Sequence, residues 1–121
     1  MTVIYQTTFV KIGEFAPDAI AENMLITFKQ GAPADLENYC FIHNHGELTA
    51  DVQVGDVLEI SGIEYPVTAV GDVANVNLRE LGHVTWRFDG ATEAEYPGTI
   101  HVSGLVPSAV EINAVLKIKR N

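Results

Sequence analysis

Two histidines two residues apart, His43 and His45, stand in the stretch CFIHNHGEL. On an extended strand residues i and i+2 share a face. The two imidazoles would then be neighbours, with Cys40, Ile42 and Asn44 on the opposite face. Three uses are open. A His-x-His pair on a strand can supply two ligands to zinc or iron. The third would have to come from His83, His101 or Glu47, and no motif spacing selects one of them. There is no second cysteine and no His-Glu-x-x-His helix. Alternatively, an imidazole nitrogen can accept a phosphoryl group covalently and pass it on. That chemistry needs an accessible neutral imidazole, a second group for the phosphoryl oxygens and a surface where the donor docks, because phosphoryl transfer rests on positioning and charge stabilisation. Gly46, beside the pair, would let a partner's backbone come close. The third use is none: two half-exposed strand residues. Cys40 reads as packing, and His83 and His101, at outward strand positions, as structural. The acidic TEAEY stretch reads as a solvated loop.

The elements that must hold these residues are mostly strands. The chain has ten glycines, spaced about ten residues apart with β-rich runs between them, the pattern of a small barrel or sandwich. Residues 2–12 alternate, placing Val3, Tyr5, Thr7, Phe9 and Lys11 on one side. Further strands are expected over 23–30, 40–44, 83–89, 99–106 and 114–120. Residues 56–70 read as a hairpin turning at Ser61-Gly62. In the 83–89 run, Val84, Trp86 and Phe88 face the core, and His83, Thr85 and Arg87 face out. Three short helices are expected. One has Pro17 in its first turn, one covers 33–39, and one covers 72–81, with Asp72 as N-cap and Gly82 just past the C-terminus. In the last, Val73, Val76, Leu78 and Leu81 form the apolar face. The fold class is mainly β: a small closed or partly closed β-barrel with a few short helices.

The bulk properties narrow the function. The 121 residues suit a single domain, and a composition 47% hydrophobic and 19% charged is that of a folded protein. Seven Lys and Arg against a net charge of −9 cannot make the basic stripe that a nucleic-acid backbone or an anionic membrane surface needs. One cysteine allows no internal disulfide, which fits a reducing compartment. The first residues lack the pattern of a signal peptide. A cytoplasmic location is therefore expected.

Several stretches carry a resemblance: MTVIYQTT, MLITFKQGAPADLENYCFIHNHGEL, YPVTAVG, NLRELGHVTWRFDG and EYPGTIHVSG. Together they resemble the glucitol/sorbitol-specific IIA component of the bacterial phosphotransferase system, from the first residues to about Val106. Departures lie in KIGEFAPDAIAE, in TADVQVGDVLEISGIE and in the tail. The resemblance implies a β-barrel and a single IIA domain over 1–121. It implies that His43, which follows CFI, is the phosphorylated histidine. The donor would be the phosphohistidine of the carrier HPr. The acceptor would be a cysteine in the IIB part of the glucitol/sorbitol permease (IIB/IIC), at which the protein docks transiently while the sugar alcohol enters. No metal or cofactor is implied. His45 is not assigned by the resemblance. Its same-face position makes it the expected auxiliary group, helping with the phosphoryl oxygens in charged form while His43 attacks in neutral form. Such a division predicts a pH optimum between two histidine-like titrations. His83, Arg87 and His101 are weaker candidates, and Phe41 and Gly46 are expected at the docking surface. Edge strands of a partly open barrel could pair between chains as a homodimer. A metal-binding barrel and a non-catalytic regulatory binding module stand as the alternatives.

Overall fold

The computed structural model describes all 121 residues. Eight strands form it: β1 (Thr2–Ile12), β2 (Met24–Lys29), β3 (Phe41–His43), β4 (Val57–Ile60), β5 (Ile63–Val70), β6 (Val84–Phe88), β7 (Thr99–Val102) and β8 (Val115–Arg120). They close into a barrel in the order β1-β3-β2-β6-β7-β5-β4-β8. The β2–β3 and β6–β7 pairs are parallel and the other pairs antiparallel. Closure gives every strand two neighbours, so the open edges expected for pairing between chains do not exist in this barrel.

Alternation explains most of the core. In β6, Val84, Trp86 and Phe88 are buried while Thr85 and Arg87 are half-buried outside. Trp86 is fully enclosed, and its indole N–H donates to Thr27 Oγ1 at 3.3 Å, which satisfies its one polar atom. The β4–β5 hairpin turns at Ser61 and Gly62, with φ of 53° and 85°. Two successive positive φ angles match the right-handed twist of the flanking strands.

The single face expected along β1 is corrected at both ends. In β1, Tyr5, Thr7 and Phe9 point inward, but Val3 and Lys11 are exposed. The pairing register shifts between Val3 and Tyr5 against β8 and between Phe9 and Lys11 against β3. An extra residue in one strand breaks the period of two at each end. The released Lys11 pairs with Glu37 at 2.6 Å.

The helices lie outside the barrel: a 3₁₀ helix (Ala16–Glu22), α1 (Ala34–Glu37) and α2 (Ala74–Leu81). In α2 only Ala74 and Leu78 are buried, whereas Val73, Val76 and Leu81 are exposed. Eight residues give two turns, and a contact stripe that narrow covers one or two positions per turn. Its N-cap is Val73 rather than Asp72, with no side-chain cap. Its C-terminus ends as expected at Gly82, at φ 59° and ψ 23°. The Gly82 N–H donates to Leu78 O at 2.9 Å and the His83 N–H to Asn77 O at 3.2 Å. This double cap stops the helix and fixes where Gly82 sits. The helix is held from the other side by Asn75. Its Oδ1 accepts from the Val52 N–H at 2.7 Å, and its amide donates to Val52 O at 3.1 Å.

Candidate functional site

β3 places His43 at the barrel wall between Phe9 of β1 and Lys29 of β2. The residue continues the inward face begun by Phe41, so its ring enters the barrel mouth among aromatic side chains. The Phe9 and Tyr5 ring centres lie 6.3 and 6.4 Å away, both edge-on. Ile42 and Cys40 pack on the outer side with Phe28. Cys40 is buried, and burial pushes its thiol up to about 11, so it is no ready nucleophile.

His43 is 1% exposed. The accessible imidazole expected from the sequence is absent from this conformation. What covers it is Gly82, the cap residue of α2. A Cβ there would lie 2.4 Å from His43 Cε1, 2.7 Å from Nε2 and 3.2 Å from His45 Nδ1. Only a residue without a side chain fits over both rings.

The His43 partners assign its tautomer. Nε2 lies 2.8 Å from Gly82 O, a pure acceptor, so Nε2 carries the proton and donates. Nδ1 accepts from the His45 backbone N–H at 3.0 Å. Thr7 Oγ1 lies 3.0 Å from the same nitrogen. Burial pushes the His43 pKa down to about 4, His45 adds to this, and the bond to Gly82 opposes it. The ring is therefore neutral at neutral pH.

His45 is brought beside it, with ring centres 5.7 Å apart. The cause differs from the one expected. β3 ends at His43, and His45 has φ 61°, so the chain turns back instead of alternating. Gly46 then passes over β1, where a Cβ would lie 2.2 Å from Gln6 O. Its lack of a side chain is used by the protein's own backbone, not kept for a partner. Phe41 is buried at 1% and offers no docking surface either. Tyr5 Oη lies 2.8 Å from His45 Nδ1, and His45 Nε2 lies 3.0 Å from Arg79 O. The carbonyl requires Nε2–H, so the Tyr5 hydroxyl donates to Nδ1. Burial raises the Tyr5 pKa and keeps the phenol protonated for that role.

The other candidates are placed elsewhere. His83 donates from Nδ1 to Thr27 O at 3.0 Å and packs on Phe28. Arg87 faces Glu95 at 3.6 Å. His101, outward on β7, is nevertheless buried. Its Nδ1 lies 2.8 Å from Asp89 Oδ1, and its Nε2 accepts from the Glu95 N–H at 3.3 Å. No group of three His, Cys, Asp or Glu side chains is arranged to hold a metal ion. Both ring nitrogens of His43 and of His45 are engaged by protein groups. No helix is long and apolar enough to cross a membrane.

This barrel and its sequence have known counterparts. The family described as the PTS system glucitol/sorbitol-specific IIA component matches residues 4–117. The chain belongs to this family. Two PTS glucitol/sorbitol-specific EIIA components, from Shigella flexneri and Escherichia coli (strain K12), are each 60% identical to it over 119 residues, 98% of this chain and 97% of theirs. The crystal structure of a PTS system IIA component from Enterococcus faecalis V583 superposes with a TM-score of 0.86 at 27% identity, covering 95% of this chain and 99% of that one. Within the IIA barrel, the residues that sequence reasoning left unassigned are Tyr5, Thr7, Asn44 and Gly82. Thr7 was visible on the same side of β1 as Tyr5 and Phe9, but nothing local tied it to His43, 36 residues on.

Proposed function

We propose that this chain is a phosphoryl carrier of the phosphotransferase system that takes the group on His43. The donor is the phosphohistidine of HPr, and the acceptor is the cysteine of the IIB part of the glucitol/sorbitol permease. The observation that carries the reading is the state of His43: a neutral imidazole covered by the single residue Gly82, beside a second imidazole.

The reacting nitrogen in this reading is Nε2. Nδ1 faces the barrel wall at Thr7, whereas Nε2 faces Gly82, at a helix end on the outside of the fold. When the Gly82 segment lifts, Nε2 is uncovered; its proton leaves to solvent while Nδ1 takes one up, so the ring stays neutral with a bare Nε2. The Nε2 lone pair then forms the new N–P bond while the donor's P–N bond breaks, its electron pair staying on the donor's imidazole. In the second step a cysteine thiolate forms an S–P bond and His43 is released. His45 swings off Arg79 O with the same movement, and its Nε2–H becomes a donor for the phosphoryl oxygens. The steps use positioning and hydrogen bonding, with no metal or cofactor.

The test is incubation with HPr, enzyme I and phosphoenolpyruvate, followed by intact mass and peptide mapping of wild type, His43→Ala and His45→Ala. A gain of about 80 Da in wild type and, more slowly, in His45→Ala, but not in His43→Ala, is expected. Phosphate on any other residue, or on none, would overturn the reading.

A further inference from the structure

At rest His43 holds its proton on Nε2, the nitrogen that must be bare for attack. The reactive tautomer is the other one, with the proton on Nδ1. A buried N–H needs an acceptor. Two groups lie within hydrogen-bond reach of Nδ1, the His45 amide and Thr7 Oγ1, each at 3.0 Å. The amide can only donate. The hydroxyl can do either, provided that its own proton has somewhere to go. That place exists: Thr7 Oγ1 lies 2.9 Å from Asn44 Oδ1. The Asn44 atom is identified as the oxygen because the Thr8 N–H donates to it at 3.0 Å.

We propose that Thr7 and Asn44 are positioning residues that hold the reactive tautomer of His43. Thr7 Oγ1 accepts the Nδ1–H while the Thr7 proton turns onto Asn44 Oδ1. The proposal rests on His43 being the phosphorylated residue. As the site opens, the Nε2 proton leaves to water, a proton from water arrives on Nδ1, and the His45 amide moves off that nitrogen. His45 starts from φ 61°, a left-handed conformation that is costly for an L-residue and so favours its release. After attack the phosphoryl group sits on Nε2 and the positive charge is shared over the ring. Thr7 then stabilises the proton that Nδ1 retains. Without the hydroxyl, the one remaining group within reach of that N–H is the His45 amide, which cannot accept it.

The experiment compares wild type, Thr7→Val, Thr7→Ser and Asn44→Ala, with HPr, enzyme I and phosphoenolpyruvate as the phosphoryl source. Thr7 is buried, and valine keeps its shape and its strand preference. Asn44 is exposed, so its alanine variant keeps the core. Phosphorylation rate is read by intact mass. The protonation of Nδ1 in the phosphorylated protein is read by long-range proton–nitrogen NMR on histidine-labelled samples. The titratable groups facing the ring are His45 and Tyr5, unchanged in all four proteins. Thr7→Val is expected to slow transfer roughly tenfold, the equivalent of one lost buried hydrogen bond, and to release the Nδ1 proton at lower pH than wild type. Thr7→Ser restores both, and Asn44→Ala shifts both by less in the same direction. Phosphate on His43 at an unchanged rate with an unchanged Nδ1 titration in Thr7→Val would overturn the proposal alone. Wild type carrying no phosphate on His43 would overturn it together with the reading beneath it.

Discussion

Replacing Gly82 by alanine perturbs the cover over His43 with a single methyl group. The backbone there is left-handed, at φ 59°, which costs a residue with a Cβ about 1–2 kcal/mol. The methyl would also lie 2.4 Å from His43 Cε1 and 2.7 Å from Nε2. Neither ring nor cap can absorb such an overlap in place, so the segment must move away from the ring. The 2.8 Å bond from His43 Nε2–H to Gly82 O is then lost or loosened. A buried donor left without its acceptor costs about 1–3 kcal/mol more. Gly90→Ala supplies the control. Gly90 has φ 65°, and a Cβ there meets only Ser103, with Cβ at 3.5 Å and Cα at 3.9 Å, both ordinary contacts. The backbone cost is shared, and the difference between the two variants isolates the contact with His43. Urea unfolding at pH 7 should place Gly82→Ala about 1–3 kcal/mol below Gly90→Ala. Diethyl pyrocarbonate should modify His43 faster in Gly82→Ala than in wild type. Equal destabilisation by the two substitutions, with unchanged His43 reactivity, would refute the account of Gly82 as the cover.

Other outcomes follow from the same geometry. The pKa of His43 is about 4 in the folded protein against an ordinary 6.5, so between those values the unfolded chain binds a proton that the folded one does not, and stability rises with pH through this window. The contribution amounts to about 2 kcal/mol between pH 5 and pH 7, and it should vanish from the urea-unfolding profile of His43→Gln. An unchanged profile would mean that His43 is not buried neutral. Cys40, with its thiol pushed up to about 11, should resist Ellman's reagent at pH 8 until the protein is unfolded; prompt reaction in the native state would contradict its burial. Asn75→Ala removes both bonds to Val52 and should cost about 1–2 kcal/mol, with faster amide exchange at Val52. Unchanged exchange there would show that Asn75 does not hold this loop to α2.

How much of this was legible depended on the range over which each feature is decided. The hairpin is local: Ser61 and Gly62 carry their own turn, and the strands beside them follow. The inward set of β6 is local too, because a period of two needs only Val84, Trp86 and Phe88. The family resemblance reached further, since whole stretches such as PADLENYCFIH carry it. The barrel order is not local. Nothing within β3 states that it lies between β1 and β2, parallel to one and antiparallel to the other. The ends of β1 failed for the same reason, since its register shifts are set by two different partners.

The site divides along the same line, and its most consequential property is the one that no window contains. Alternation placed His43 and His45 together, and they are together, but through a left-handed turn at His45. The phosphoryl use needed an accessible imidazole, and the reading without a function had the pair half-exposed. What buries His43 is a helix cap 39 residues later, and Gly82 was legible only as a stop signal for α2. The glycine meets two requirements at one point, because the left-handed cap and the close approach to an imidazole both exclude a Cβ. The burial that keeps His43 neutral also keeps it from any donor. On the proposed reading, His43 is in the right charge state before a partner arrives and is exposed only when the cap moves. Acceptance of the group on that reading requires both the movement of the cap and the shift of the His43 proton to Nδ1, and Gly82→Ala, which perturbs the cap, should separate the first from the second.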